Sequence, residues 1–241
     1  MIEIPSFNEL IEKSIVNNWD KDALTDFKGA TLQYHDVARK IEKLHIMFES
    51  SGVQRGDKIA LCGRNSSNWA VAFLATLTYG AVAVPILHEF TADQIHNIVN
   101  HSEAKLLFVG DYVATIIDQT KMPDLEGIIY IPDYSLVVSR TDKLTYAREH
   151  LNAMFGEKYP KFFRKEHVHY YREQSPEELA LINYTSGTTG FSKGVMIPYR
   201  AMWSNYDFAM TAVAKHIKKG DNVISILPMA HMYGMAFEFL F

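Results

Sequence analysis

Cysteine is all but missing from this sequence. Its 241 residues carry one, Cys62, so no internal disulfide can form and a disulfide-stapled scaffold is excluded. An excess of basic residues is missing too. Lys and Arg number 24 against 28 Asp and Glu, a formal net charge of −4, which leaves no broad positive field for a phosphate backbone and argues against a nucleic-acid partner. The opening residues lack the basic stretch, apolar core and small-residue cleavage site of a secretory leader. With the lone thiol, this makes the cytoplasm the expected compartment.

Long unbroken apolar runs are also lacking. A membrane-spanning helix needs about 20 predominantly apolar residues. The uncharged stretch 69–87 (WAVAFLATLTYGAVAVPIL) has the length, but Gly80 and Pro85 break it. A buried helix ending near Tyr79 and a buried strand after it account for the run, so no transmembrane segment is expected. What is present is a globular composition, 48% hydrophobic and 22% charged, in a chain long enough for a sizeable core.

Ser6 and Glu9 stand at capping-box spacing before Phe7, Leu10, Ile11 and Ile15, which predicts a helix over 7–18. Apolar runs at 23–27 and 30–33 flank Lys28 and Gly29, a hairpin signal. A second helix carries Val37, Ile41, Leu44 and Phe48 on one face and stops at Gly52. His35 and His45 on it are read as solvated or satisfied rather than as ligands. The chain then repeats one unit. Strands at 58–62, 81–85, 105–109 and 127–131 alternate with helices at 67–79, after Thr91 with Gln94 three residues on, and at 111–119. Such alternation builds right-handed crossovers and a parallel sheet covered on both faces.

Residues 132–178 break this rhythm with charge, Tyr and His, and are read as a surface excursion with one helix near 142–155. His167 and His169 form an HxH pair, but no cysteine or carboxylate cluster completes a ligand set, so no metal site is predicted. Apolar strand signal returns at 179–184 and 195–197, a helix follows at about 199–215, and a further strand is expected at 222–227. The chain closes on an apolar run, 237–241, which predicts a truncated chain. The expected organisation is an α/β fold of layered α/β/α type with mainly parallel sheets. Residues 1–178 form its first α/β subdomain, and 179–241 hold a phosphate-loop segment and the start of the next part.

Residues 185–194 (TSGTTGFSKG) gather hydroxyls, glycines and one ammonium into a single loop between two apolar strands. Glycines let the backbone present N–H groups to an anion, Ser and Thr add short donors, and Lys supplies a point charge, the combination that phosphate oxygens require. The spacing is neither that of a Walker A loop, because Ser192 precedes Lys193 and Gly194 follows it, nor GxGxxG.

The stretch YTSGTTGFSKGVM resembles the phosphate-loop signature of the adenylate-forming superfamily, which includes acyl-CoA synthetases, luciferases and the adenylation domains of peptide synthetases. Four further stretches resemble it in the same order: TLQYHDVARKIEKL, GVQRGDKIALCGRNSSNWAVAFLATLTYGAVAVPI, SEAKLLFV and LPMAHMYG. Among its members the sequence looks most like the N-terminal part of the large domain of a long-chain fatty-acid–CoA ligase. The resemblance implies a two-step reaction. A carboxylate attacks the α-phosphate of Mg·ATP to give acyl-AMP and pyrophosphate, and coenzyme A then displaces AMP to give the thioester.

The resemblance further implies that Thr185, Ser186, Gly187, Thr188, Thr189 and Gly190 wrap the β- and γ-phosphates and that Lys193 holds the leaving pyrophosphate. His231, Met232, Tyr233 and Gly234 would lie beside the acyl and nucleotide pocket. Ser192 stands where many relatives carry proline. The family's later elements, which contact magnesium, the ribose and the adenylation step, have no matching segment, so no catalytic residue is assigned and the chain alone is expected to be inactive. Fatty acid, ATP with Mg2+, and coenzyme A are the expected small-molecule partners, together with the remaining part of its own chain. A homodimer and peripheral contact with a membrane are compatible with the sequence. Two alternatives stay open: adenylation of an aryl or amino acid for a carrier-protein thiol, and a non-catalytic nucleotide-binding module.

Overall fold

The computed structural model describes residues 6–185, 193–213, 216–218 and 220–240. Helix α1 (Phe7–Asn17) begins where Ser6 accepts a hydrogen bond from the Glu9 backbone N–H, and it buries Phe7, Ile11 and Ile15 along one stripe. Strands β1 (Asp22–Thr25) and β2 (Thr31–Gln33) pair as the expected small antiparallel ribbon. Helix α2 (Tyr34–Ser51) buries Val37, Ile41, Leu44 and Phe48 and is capped by Gly52. The resulting packing leaves His45 neutral: its Nε2 lies 3.0 Å from both the Ala75 carbonyl and the Thr78 hydroxyl, and burial holds its pKa down to about 4.

The body is a seven-stranded sheet. Its strands are β3 (Lys58–Cys62), β4 (Val82–Ile86), β5 (Ala104–Val109), β6 (Gly127–Tyr130), β7 (Leu136–Ser139), β8 (Leu179–Thr185) and β9 (Lys193–Pro198), in the order β7-β6-β5-β3-β4-β8-β9. The inner strands run parallel, and β7 and β9 close the two sides antiparallel. Helices α3 (Ser67–Tyr79), α4 (Ala92–His101) and α5 (Asp111–Ile116) lie in the crossovers; α6 (Asp142–Glu149) and α7 (Leu151–Lys158) follow β7, and α8 (Tyr199–Val213) follows β9.

Alternation along each strand divides the core into two faces. Ile59, Leu61, Leu106 and Phe108 pack with the buried stripes of α1, α2 and α3, whereas Ala60, Cys62, Leu107 and Val109 pack with Ile95, Ile98 and Val99 of α4. Both faces are covered, which is why these strands read as continuous apolar runs and why the architecture is α/β/α. The uncharged stretch behaves as expected. Ser66 caps α3 by accepting from the Trp69 N–H, Trp69 and Phe73 stack 5.4 Å apart, and Gly80 ends the helix at φ 86°. Among the described residues no helix is long and apolar enough to cross a membrane.

Four expectations are corrected. The helix expected over 111–119 ends at Ile116, because the Asp118 carboxylate takes the Thr120 N–H and starts a separate turn. Residues 132–178 are not a surface excursion: β7 pairs with β6, and the single helix expected near 142–155 is two, parted at His150. Leu144, Ala147, Leu151, Val168 and Tyr170 are buried within that charged stretch, at intervals too wide to read as an apolar run. A boundary at residue 178 does not divide the sheet, since β8 pairs with β4. Finally, residues 222–227 form no strand. No neighbouring strand takes up their backbone groups among the described residues, and Ile224 and Ile226 are 80% and 79% exposed.

Candidate functional site

The chain leaves β3 toward one face through α3 and leaves β4 toward the other through α4. Adjacent parallel strands whose connections part in this way open a crevice at their carboxyl ends, where open α/β sheets bind ligands. Strand β8 lies beside β4 and delivers Thr185 to the same end of the sheet.

Thr185 pairs in register with Lys193, and both are exposed at the tip of the β8–β9 pair. The two ends of the sequence motif are thereby brought together. Ser186, Gly187, Thr188, Thr189 and Gly190 lie outside the described residues. One step back, Gly194 faces Tyr184, and a Cβ at Gly194 would stand 2.9 Å from Ile182 Cγ2 and 3.0 Å from Tyr184 Cζ. Only glycine leaves room for the tyrosine ring to lie across β9. The Tyr184 hydroxyl in turn meets His101 Nδ1 at 2.7 Å, tying the base of the loop to the last turn of α4, and burial raises the phenol's pKa.

A second segment is drawn to this end of the sheet by two asparagines. Asn65, just beyond β3, donates to Leu227 O at 2.7 Å and accepts from Met229 N at 2.8 Å. Asn183, buried in β8, donates to Ala230 O at 3.1 Å. These bonds lay residues 227–230 over the ends of β3 and β8 and present His231 next to them. His231 Nδ1 accepts from Tyr233 N at 3.2 Å, so the neutral ring carries its proton on Nε2 as a donor, and the residue is exposed. Gly234 is buried against this segment, where a Cβ would come within 2.6 Å of Pro228 O. Met232 lines a small recess with Met202, Asn205, Tyr206, Met235 and Leu240. Tyr233 is 58% exposed.

The bond from Asn183 to Ala230 O brings His231, the next residue, close to the strand that ends at Thr185. Asn65, Asn183, His101 and Tyr184 add contacts that the sequence motifs do not announce. The signal for Asn183 was legible, an amide inside an otherwise apolar strand; the role of Asn65 depends on a partner more than 160 residues away.

Comparison with known proteins decides the family. The AMP-binding enzyme family matches residues 11–241. This chain is a member of it. Long chain acyl-CoA synthetase 3 of Arabidopsis thaliana is 25% identical to this AMP-binding chain over 208 residues, covering 85% of it and 31% of the synthetase. A 4-chlorobenzoate–CoA ligase from Arthrobacter is 26% identical over 217 residues, covering 88% of this chain and 36% of the ligase. The chain therefore spans about a third of the length of these relatives. Among solved structures, a red-emitting luciferase from Phrixothrix hirtus superposes with a TM-score of 0.82 at 17% identity, over 100% of this chain and 45% of the luciferase. A long-chain-fatty-acid–CoA ligase from Archaeoglobus fulgidus superposes with a TM-score of 0.75 at 19% identity, over 98% of this chain and 45% of the ligase. These likenesses establish the fold of the N-terminal domain of adenylate-forming enzymes.

Proposed function

We propose that this AMP-binding chain is the phosphate-holding portion of an ATP-dependent acid–CoA ligase that acts on a fatty acid. The observation that carries the reading is the closure of the β8–β9 pair at Thr185 and Lys193, with the Leu227–His231 segment held beside it by Asn65 and Asn183. Thr185, Ser186, Gly187, Thr188, Thr189 and Gly190 supply N–H and hydroxyl donors to the β- and γ-phosphates of ATP, and Lys193 adds a positive charge where pyrophosphate departs. Their contribution is charge stabilisation at fixed positions rather than proton transfer, which suits a reaction whose leaving group gains negative charge. His231, through its Nε2 proton, is a donor for the reacting carboxylate or its acyl phosphate oxygen. Magnesium enters with the nucleotide as part of the substrate.

The acid is activated because its carboxylate oxygen becomes bonded to the α-phosphorus while the bond to the pyrophosphate oxygen breaks. The thiolate of coenzyme A then attacks the acyl carbon and AMP leaves with the electron pair. A fatty rather than an aryl acid is supported by the long-chain synthetases and ligases among the relatives. ATP–pyrophosphate exchange by the complete protein, run in parallel with short, medium and long fatty acids, aryl acids and amino acids, tests this. Exchange driven by fatty acids is expected. Exchange driven only by aryl or amino acids overturns the substrate class, and no exchange with any acid overturns the reaction.

A further inference from the structure

A cleft of about 500 Å³ opens beside α2, toward the β6–β7 side of the sheet, and the proposed ligase reaction makes no use of it. Helix α2 brings Asp36, Arg39, Lys40 and Lys43 to it at helical spacing, α6 brings Arg148, and the turn between β6 and β7 brings Asp133. Leu44 and Leu151 add an apolar floor, and Tyr134 forms a wall.

Four cations face two carboxylates here, in a chain whose net charge is −4. The carboxylates are also already engaged. Asp133 accepts from the Ser135 N–H at 2.8 Å, and Asp36 takes the Gln33 N–H at 3.1 Å and lies 3.4 Å from Arg39. Lys40, Lys43 and Arg148 form no ion pair with a carboxylate among the described residues. Neutral groups hold them instead: Lys40 Nζ donates to Asn68 Oδ1 at 3.3 Å, Lys43 Nζ to Asn152 Oδ1 at 2.8 Å, and Arg148 Nε to Tyr134 O at 2.6 Å. All three are half-buried. Burial, and then the charges of Arg39, Lys40 and Arg148, hold the Lys43 ammonium below its ordinary pKa.

The wall is fixed as well. Tyr134 adopts the left-handed region at φ 57°, rare for a bulky side chain, while its carbonyl meets Arg148 and its hydroxyl donates to Asn68 O at 2.7 Å. Lys40, Lys43 and Arg148, gathered in one recess with no carboxylate in ion-pair range among the described residues, are relieved by an anion of opposite sign. Guanidinium and ammonium donors together match the oxygens of a phosphoryl group.

We propose that this cleft binds the phosphate group of a small, soluble phosphomonoester, with the ester's carbon skeleton against Leu44, Leu151 and Tyr134. The volume suits a small metabolite, and half-buried cations in a recess suit a soluble ester better than a membrane surface. The site lies toward the other side of the sheet from Thr185 and Lys193. Four strand spacings part β6 from β8, roughly 19 Å at about 4.8 Å each.

The test is calorimetry on the complete protein with glycerol 3-phosphate and with inorganic phosphate. Saturable binding of the ester at about 1 mM or tighter is expected. It should weaken about tenfold in Lys40→Gln/Lys43→Gln, and it should weaken with added salt. Asp133→Asn keeps the acceptor for Ser135 and removes a negative charge, so it should tighten binding, a gain that a misfolded variant cannot imitate. Lys193→Ala should leave this binding unchanged. The proposal is overturned by absence of binding, by equal affinity in the double lysine variant, by loss of binding in Lys193→Ala, or by binding to phosphatidic acid vesicles without binding of the soluble ester.

Discussion

The amide of Asn65 grips Leu227 across the carboxyl edge of the sheet, donating to its carbonyl at 2.7 Å. The same side chain accepts from Met229 N at 2.8 Å, so one residue beyond β3 fixes the approach to His231. Asn65→Ala removes both bonds and leaves two backbone groups without their partner, a cost of about 1–3 kcal/mol. We expect acid-dependent exchange to fall by about tenfold or more, since misplacement of a positioning segment lowers rate steeply. Unfolding and exchange measured on the same preparation check this; exchange unchanged by Asn65→Ala would show that the segment does not position the substrate.

Gly194 carries the second prediction. A methyl group there meets Ile182 and the Tyr184 ring at 2.9–3.0 Å, and the Tyr184 ring is buried and tied to His101. Gly194→Ala should destabilise the protein by about 1–3 kcal/mol through overpacking. A denaturant midpoint equal to that of the unchanged protein would refute the close approach. Tyr184→Phe, which keeps the ring and loses the bond to His101, should cost about 1 kcal/mol.

His45 ties stability to pH. Its folded pKa, about 4, lies below the ordinary 6.5, so between these values the unfolded chain binds a proton that the folded chain refuses. Its contribution is fully present above about pH 6.5, falls as pH drops toward 4, and is lost below that, amounting to up to about 3 kcal/mol. Denaturant titrations at several pH values should show this decline, with a shallower slope in His45→Gln. Equal slopes in the two proteins would remove His45 as the cause.

Cys62 lies buried at the end of β3, and burial pushes its thiol pKa upward. A thiol reagent should leave the native protein unmodified and label one site after denaturation. Rapid labelling of the native protein would contradict the packing of β3 against α4.

Much of the sheet was legible because its strands are buried on both faces. Residues 58–62 and 105–109 read as apolar runs, and the structure divides each between two cores by alternation. Two caps were equally readable: Ser6 and Thr91 each accept from the N–H three residues on. What escaped were features decided by distant partners. The apolar stretch 222–227 reads as a strand by propensity, but a strand exists only where a neighbour accepts its backbone bonds, and none does among the described residues. In 132–178 the apolar residues that pack α6 and α7 against α2 are spread among charges, so their burial depends on α2 rather than on a local run. At the candidate site the motif at 185–194 was plain from composition, whereas Asn65 and His101 became visible only when β3 and α4 were set beside β8.

ATP–pyrophosphate exchange by the complete protein with a long-chain fatty acid, compared between the unchanged sequence and Lys193→Ala, tests the central claim most directly. The account predicts robust exchange in the former and a loss of about a hundredfold in the latter, the scale of removing one charge-stabilising donor from a reaction centre. Equal exchange in both proteins would contradict the assignment of the β8–β9 loop to the departing pyrophosphate.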